Sequence, residues 1–600
     1  MRLIVSSNIY PLEEYNKDTL LLGQWCVAGD VAGTILDGGA TMLRHPWADC
    51  ERLEGDYKQI RTIYDRALVQ LADHLGSINS VHLSQRGWEI FIGPWLRVFI
   101  NCVFERFMLL ESAINEYGAT TLVHSDESVQ READTTSKFI TDLQKPAWNE
   151  MFCSDIAKLA FPEMQRLMLD PVNRRQYAND KHAVTPVAQK ISGIKNHVLA
   201  VVKRLDALAQ RNKRFILHRV GMSWKKELLF MMRSRVFPHF FLPILEKVGQ
   251  ERDTDRRSFK LDFGTEDVAR IAAALIGDYM PRIFLEDFTA AKSLIHSKYP
   301  RKPEQIITGV AYYTDDYFKL FTALAVEKGV KYTILQHGGA FGTAQINDEE
   351  ELQMKTADYF MSWGWGEDCC EPKHARIIPG GAITISSKRS AIKPDSSGFI
   401  VLPVSEWTLQ TFRLFSAPLS FRQLDYLNEI SEFYRNLSQS AASILRLRLQ
   451  PGTRGWHIEE RLSKMGLEKT IIRTPGRFVG DLKSSRLAVV NTNSSTMLEA
   501  FAFNIPTVLL INDKLWPVRP KVQSYYNEMK EAGILYNDPI SAAQHVSTIY
   551  DNPEIWWGSK QVQSARNRFV KKFVAPGGAL MSQVRKISYV NTCNHNTGIS

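Results

Sequence analysis

Cysteine is scarce and shows no pairing pattern. The 600 residues hold seven, at 26, 50, 102, 153, 369, 370 and 593, and no Cys-x-x-Cys. That argues against a disulfide scaffold or zinc ribbon, and a reducing compartment is the simplest setting. The HExxH, P-loop and GxSxG patterns are missing as well. Metalloprotease, P-loop ATPase and standard esterase readings therefore lose their main support. Long apolar runs are also lacking. The most membrane-like stretch, Phe91 to Leu110, is interrupted by Arg97, Asn101, Glu105 and Arg106, whereas a spanning helix needs ~20 nearly uninterrupted apolar residues. The opening MRLIVSSNIYPLEEY has no signal-peptide apolar core. The expectation is a cytoplasmic protein that does not cross a bilayer.

What is present is the balance of a folded soluble chain: 44% hydrophobic and 23% charged residues, with only 35 Gly and 25 Pro. The length allows several domains. The net charge of +9 is concentrated. Residues 201–236 carry +8 and residues 561–590 carry +6, leaving −5 on the rest. Two basic segments on a slightly acidic body suggest anionic partners, with solvated helix faces as the competing reading.

Texture along the chain alternates. MRLIVSSN reads as a first strand, and apolar residues at spacings of three and four (Tyr64, Leu68, Leu71, Leu75) predict amphipathic helices from about 56 to 117. Residues 118–195 read as a continuing helical insertion. Ile306–Tyr312, Asp315–Lys328 and Val330–Leu335 form a strand–helix–strand unit, which implies a parallel sheet. Residues 376–398 are rich in Gly, Ser, Pro and Lys and read as a connection between domains. Strands and helices then alternate to a basic helix near 559–573.

The expected fold class is α/β, with two doubly wound Rossmann-type domains. An N-terminal domain over 1–385 would carry a helical insertion at about 56–210. A C-terminal domain would span 396–575, and 576–600 would be a tail.

Ligands of parallel sheets bind beyond the carboxyl ends of strands, and two such loops stand out. Lys331–Leu335 delivers Gln336 and His337 into Gly338, Gly339 and Gly342. The glycines let a ligand approach the main chain, and the histidine suits general-base chemistry; a turn-capping histidine is the alternative. The second strand, Leu487–Asn491, ends in Thr492, Asn493, Ser494, Ser495 and Thr496 before a helix. Such a helix start is a natural phosphate site, although Thr496 to Glu499 also fits a capping box.

Weaker candidates are His45 and Asp49 in Arg44-His-Pro-Trp-Ala-Asp49, and Arg446, Arg448, Gln450 and Arg454 around another strand end. Trp363-Gly-Trp-Gly366 and Trp224-Lys-Lys226 read as packing and a solvated face as readily as contact surfaces.

The motifs LLGQWC (21–26), HPWAD (45–49), GPW (93–95), SWKK (223–226), QHGGAFG (336–342), SWGWG (362–366) and NTNSSTMLEAFAFNIPTV (491–508) occur in the order of a bacterial transferase family found among O-antigen and surface-carbohydrate genes, which this chain resembles from about 20 to 515. A more distant resemblance is to teichoic-acid glycerophosphotransferases and capsule Kdo transferases of the GT-B fold. It implies a catalytic role for His337 within Gln336-His-Gly-Gly339 and a donor-phosphate role for Ser494-Ser-Thr496. Those families commonly have a His-Pro pair near the nucleotide, where this chain has Gln450-Pro451.

The resemblance therefore implies a metal-independent, inverting glycosyltransferase without a cofactor. Its partners would be a nucleotide-activated sugar and a glycan or lipid-linked acceptor. Ser494, Ser495 and Thr496 would hold the donor phosphate, with Asn493 beside them and Glu499 reaching the ribose or capping. Arg446 and Arg448 would offset leaving-group charge, and His337 would be the base, with His45 or Asp49 in reserve. A CMP-activated acidic sugar is the first expectation for the donor and a CDP-alditol the second. Peripheral contact with an anionic inner-membrane surface is expected, and nucleic acid is not. A non-catalytic glycan-assembly protein or a nucleic-acid binder are the rival classes.

Overall fold

The computed structural model describes residues 1–172, 215–221, 251–299, 303–382, 385 and 394–577, except Asn8, 28–31, 126–128, 371–373 and Pro475. Its strands form three wholly parallel sheets. The first holds β1 (Arg2–Ile4), β2 (Thr19–Leu21), β3 (Thr41–Met42), β4 (Thr121–His124) and β5 (Gln165–Met168), in the order 3-2-1-4-5. The second holds β6 (Phe215–His218), β7 (Gln305–Thr308), β8 (Lys331–Leu335), β9 (Tyr359–Ser362) and β10 (Arg376–Pro379), in simple sequence order. The third holds β11 (Phe399–Val404), β12 (Leu445–Leu449), β13 (Ile471–Ile472), β14 (Ser485–Val490), β15 (Thr507–Leu510) and β16 (Leu535–Tyr536), in the order 13-12-11-14-15-16. Central strands such as β7 and β15 are buried along their whole length, as parallel strands covered on both faces must be.

Two of these sheets are doubly wound, as the sequence predicted, and the singly wound second sheet was not foreseen. The predicted insertion at 56–210 is also not helical throughout. Two long helices, α1 (Cys50–Ile78) and α2 (Gln85–Asn115), are followed by β4 and β5 of the first sheet, with α3 (Pro146–Ala160) between them. Four-residue strands in a polar stretch leave little period-two signal, so the helices dominated the pattern. Part of the predicted connection at 376–398 is the edge strand β10. Pro379 is tolerated at its end because an edge strand needs fewer ladder bonds.

Helix α2 explains the membrane-like run. At 31 residues it is about 46 Å long, and it is buried around nearly its whole circumference. Arg97, Asn101, Glu105 and Arg106, which interrupt the apolar run, are themselves buried. They are paired: Arg97 and Asn101 bond the Asp348 carboxylate at 2.9 and 2.8 Å, and Arg106 reaches Gln410 at 2.7 Å and Asn149 at 3.1 Å. The helix is a central strut with polar rungs. Among the described residues no helix is long and apolar enough to cross a membrane.

The second sheet runs in one direction, and right-handed crossovers then put its connections on one face. The helix Asp316–Val326 and α4 (Asp348–Thr356) pack there, between the sheet and α2.

Candidate active site

Doubly wound sheets offer a crevice where the strand order reverses. In the first sheet that point, between β1 and β4, is closed by the protein itself. The buried Glu150 of α3 accepts bonds from the Ser6 hydroxyl (2.6 Å), the Tyr10 hydroxyl (2.7 Å), and the amide and hydroxyl of Ser125 (2.9 and 2.6 Å). The second sheet has no reversal. The third sheet's reversal lies between β11 and β14.

There the two exit loops are tied together by Tyr426 on α5 (Gln423–Arg435), which accepts from the Ser405 amide and donates to the Asn491 side chain, both at 3.0 Å. Glu406 follows, its carboxylate accepting the amides of Arg454 (2.8 Å) and Trp456 (3.1 Å), and burial pushes its pKa up. Trp407 lies next to Tyr426 and Trp516, at ring separations of 4.9 and 6.1 Å.

The loop after β14 leads into α6 (Ser495–Ala502), one residue earlier than predicted. Ser494 is the cap residue, yet its side chain accepts no bond from the helix backbone. It meets the Thr492 and Thr496 hydroxyls at 2.8 and 3.0 Å. The predicted capping box therefore does not form: the third helical position is Met497, and Glu499 sits further along, half-buried. Asn493 is buried, holding Thr343 (3.3 Å) and accepting from Tyr526 (3.0 Å), which ties this loop to the one after β8.

That second loop lies directly on the first. A Cβ on Gly339 would collide with the main chain of Ser494 and Ser495, so only glycine fits. Gly342 has φ +75°, with Trp365 packed where a side chain would point. Gln336 is committed to structure: its side-chain oxygen accepts from the Trp363 amide (2.8 Å) and Trp365 indole (2.9 Å), and its amide donates to the Gly338 carbonyl (2.8 Å). The SWGWG segment is thus packing for this turn.

His337 is partly exposed. Its Nε2 lies 3.6 Å from Glu349, its ring stands 5.3 Å from that of Phe341, and its Nδ1 is buried without a partner among the described residues. Arg413, from the loop between β11 and α5, pairs with the same carboxylate. Burial would raise the Glu349 pKa, but Arg413 and His337 together hold it at about 2.

Sequence reasoning missed Glu349 and Arg413. The signal was the run Asp348-Glu349-Glu350-Glu351 behind the Asn347 cap, where every acid is engaged. Asp348 takes Arg61 and Arg97. Glu349 takes His337 and Arg413. Glu350 takes the Gly342 amide and Arg519, both at 2.7 Å, and Glu351 takes Tyr57.

Other candidates lie elsewhere. His45 is buried, accepts from the Trp47 amide at 3.1 Å, lies 3.4 Å from Glu105 and stacks on Phe421 at 4.1 Å. Burial and Arg106 keep its pKa well below the usual value. Asp49 caps α1 through the Glu51 amide. Arg446 bonds the Ser443 and Leu445 carbonyls near the start of β12, away from the strand's carboxyl end. Arg448 is buried on Asp481 (2.8 Å) and the Gly476 carbonyl (2.7 Å). The structure therefore does not bring these two arginines to the serine loop. Gln450 is half-buried just past β12, and Arg454 is exposed beside Glu406.

Most of the basic segment 201–236, with SWKK, lies outside the described residues, as does 578–590. In α7 (Lys560–Phe573), Arg566 bonds the Phe501 carbonyl, Arg568 pairs with Glu528 and Lys572 with Asp368, while Lys560 and Lys571 are exposed. The end of the predicted C-terminal domain meets the second sheet: Ala575 donates to the Trp363 carbonyl, and Ala382 donates to the Ala575 carbonyl, both at 2.8 Å.

A family model described as "LIC12162 family transferase" matches residues 1–583. No curated protein matches the chain in sequence. Among solved structures, S. aureus MnaA with UDP is similar at 13% identity and TM-score 0.32, covering 51% of this chain and 79% of that one. An O-GlcNAc transferase mutant from Thermobaculum terrenum is similar at 12% identity and TM-score 0.32, covering 89% and 97%. WaaG, a glycosyltransferase involved in lipopolysaccharide biosynthesis, is similar at 11% identity and TM-score 0.30, covering 50% and 95%.

Proposed function

The chain belongs to the LIC12162 family of transferases, and from that premise we propose that it is a glycosyltransferase acting at the third sheet's switch point. The observation that carries this reading is the seating of Gly339 on the main chain of Ser494 and Ser495. Two loops more than 150 positions apart share one surface, one offering a base and the other a helix start with three clustered hydroxyls.

In this reading the donor nucleotide lies across the crevice between β11 and β14, and its phosphate meets the start of α6 with Ser494, Ser495 and Thr496. His337 takes the acceptor hydroxyl's proton as that oxygen attacks the anomeric carbon. The bond to the phosphate oxygen breaks on the opposite face, with inversion. Charge on the departing phosphate is met by the α6 amides, in place of a metal ion. A CMP-activated acidic sugar is the first donor to test and a CDP-alditol the second. The acceptor is a surface glycan or its lipid-linked precursor.

A thermal-shift screen of CMP, CDP, UDP and GDP tests the site. A shift with one nucleotide, lost in Ser494→Ala/Ser495→Ala, is the expected result. No shift with any of them would overturn the donor assignment.

Cytoplasmic residence with peripheral contact to an anionic membrane surface completes the proposal. Docking would rest on the basic segment 201–236 or 561–590, at roughly 1 kcal/mol per engaged basic residue. Flotation on anionic vesicles that falls steeply with salt is the expected outcome, and salt-independent flotation counts against it.

A further inference from the structure

We propose that Glu349 is a positioning residue for His337, and that Arg413, carried by the third sheet's unit, holds Glu349 in that role. This deepens the reading above, in which His337 is the base. The three side chains form a chain of contacts: guanidinium to carboxylate, then carboxylate to imidazole at 3.6 Å. Such a base-plus-orienter arrangement needs the orienter to be fixed itself. Glu349 is fixed twice, being buried in the first turn of α4 and gripped from across the interface.

Arg413 is in turn steadied by aromatic rings, lying 4.9 Å from the ring of Phe412, 5.3 Å from Tyr313 and 5.5 Å from Phe415. The geometry also couples the base to the meeting of the two units. His337 and Glu349 come from the second sheet's loops, whereas Arg413 follows β11. The main chain beside it is pinned across the same boundary, with Asp348 donating to the Leu414 carbonyl at 3.1 Å and Ser416 to the Ile346 carbonyl at 3.0 Å. Separation of the units would withdraw Arg413 and leave Glu349 to His337 alone.

The titratable and charged groups around the imidazole are Glu349 from α4, Tyr312 at 6.1 Å from the short helix Ala311–Thr314, and Arg413 with Tyr313 behind Glu349. Tyr312 stays neutral because burial drives its pKa far up. The two charged neighbours thus act on the imidazole with opposite sign. Removing Glu349's charge should make His337 harder to protonate, and removing Arg413's charge should make it easier.

The test is an NMR titration of the full chain labelled in histidine, with the His337 signal assigned by its loss in His337→Ala. It needs no donor. Glu349→Gln should lower the His337 midpoint by about one pH unit, the scale of one opposite charge within 4–6 Å. Arg413→Met should move it the other way. Parallel shifts, or no shift in either variant with melting temperature preserved, would overturn the proposal. Where Glu349→Gln misfolds, Arg413→Met decides alone. Turnover separates this inference from the wider reading: a fully active His337→Ala removes the base assignment, whereas unmoved midpoints with an inactive His337→Ala remove only the positioning role.

Discussion

Arg97 in the middle of α2 donates to the Asp348 carboxylate at 2.9 Å, and both side chains are buried. Arg61 joins the same carboxylate at 3.0 Å and Asn101 at 2.8 Å. The acid at the start of α4 is therefore what makes a charged central helix tolerable.

Asp348→Ala should accordingly be among the most damaging single changes. It leaves Arg61 and Arg97 without their common carboxylate, and breaking one side of a buried pair typically costs about 3–5 kcal/mol. Asp49→Ala, which removes only an exposed cap, should cost about 1 kcal/mol. Urea unfolding of both variants checks the contrast. Equal losses would mean that the Asp348 cluster is not central to stability.

Acid should weaken the fold in a defined window. Glu349 and Glu351 both titrate at about 2, against an ordinary value of 4.5, because Arg413 with His337, and Arg97 with Arg61, outweigh the cost of burial. A folded pKa below the unfolded one means stability that is present in full above about 4.5 and lost as pH falls through about 2. Each shift is equivalent to at most about 3 kcal/mol. Melting temperature should decline from pH 5 toward pH 2, and less steeply in Glu349→Gln. Identical slopes in the two proteins would contradict the assignment.

The outline of the fold was legible because parallel βαβ units write themselves as apolar runs ended by small residues. β8 and β14 lie within two residues or so of where the pattern put them. The second sheet as a separate unit was not legible. β6 has only four described residues, and β10 sits in a segment whose Gly, Ser and Pro content looks like a linker. In the site, His337 and Ser494 could be picked out because strand ends announce themselves in sequence. Glu349 and Arg413 could not, since an acid in a helix's first turn and an arginine in a loop are ordinary until folding sets them together. Arg446 and Arg448 misled for the converse reason: one faces carbonyls near its strand's start and the other is paired to Asp481.

Gly339→Ala should affect function more than its size suggests. The added methyl would meet the main chain at Ser494 and Ser495, which cannot swing aside as a side chain would. The loop after β8 must lift, carrying His337 away from the start of α6. Turnover should fall while nucleotide affinity changes little, and Gly338→Ala, whose nearest neighbour is the Phe341 ring at 3.2 Å, should be milder. Equal effects of the two substitutions would argue against contact between the loops in solution.

Replacing Ser494 and Ser495 together with alanine should weaken nucleotide binding about tenfold or more, the loss of one or two good hydrogen bonds to a charged group. The fold should survive, because Ser494 makes no helix-capping bond and its hydroxyl partners are Thr492 and Thr496. Calorimetric titration with the nucleotide found by screening measures it. Unchanged affinity in a folded double variant would remove the phosphate from this loop.

The sharpest expectation concerns His337. A sugar hydroxyl is a poor nucleophile at neutral pH, so its attack gains from a base titrating near 7, and general-base catalysis typically contributes ~10²–10⁴-fold. His337 is partly exposed at a strand end, its Nε2 faces a buried carboxylate, and its loop rests on the proposed phosphate site. His45 has none of these properties. It is sealed beneath Phe421 with both ring nitrogens engaged, and Asp49 is occupied as a cap. His337→Ala should therefore cut turnover by about 10²–10⁴-fold with nucleotide affinity unchanged, whereas His45→Ala should act through stability, lowering the melting temperature and leaving turnover per folded molecule near normal. If instead His337→Ala turns over normally and His45→Ala is folded but inactive, the site belongs near the first sheet, and the contact between Gly339 and Ser494 is structural alone.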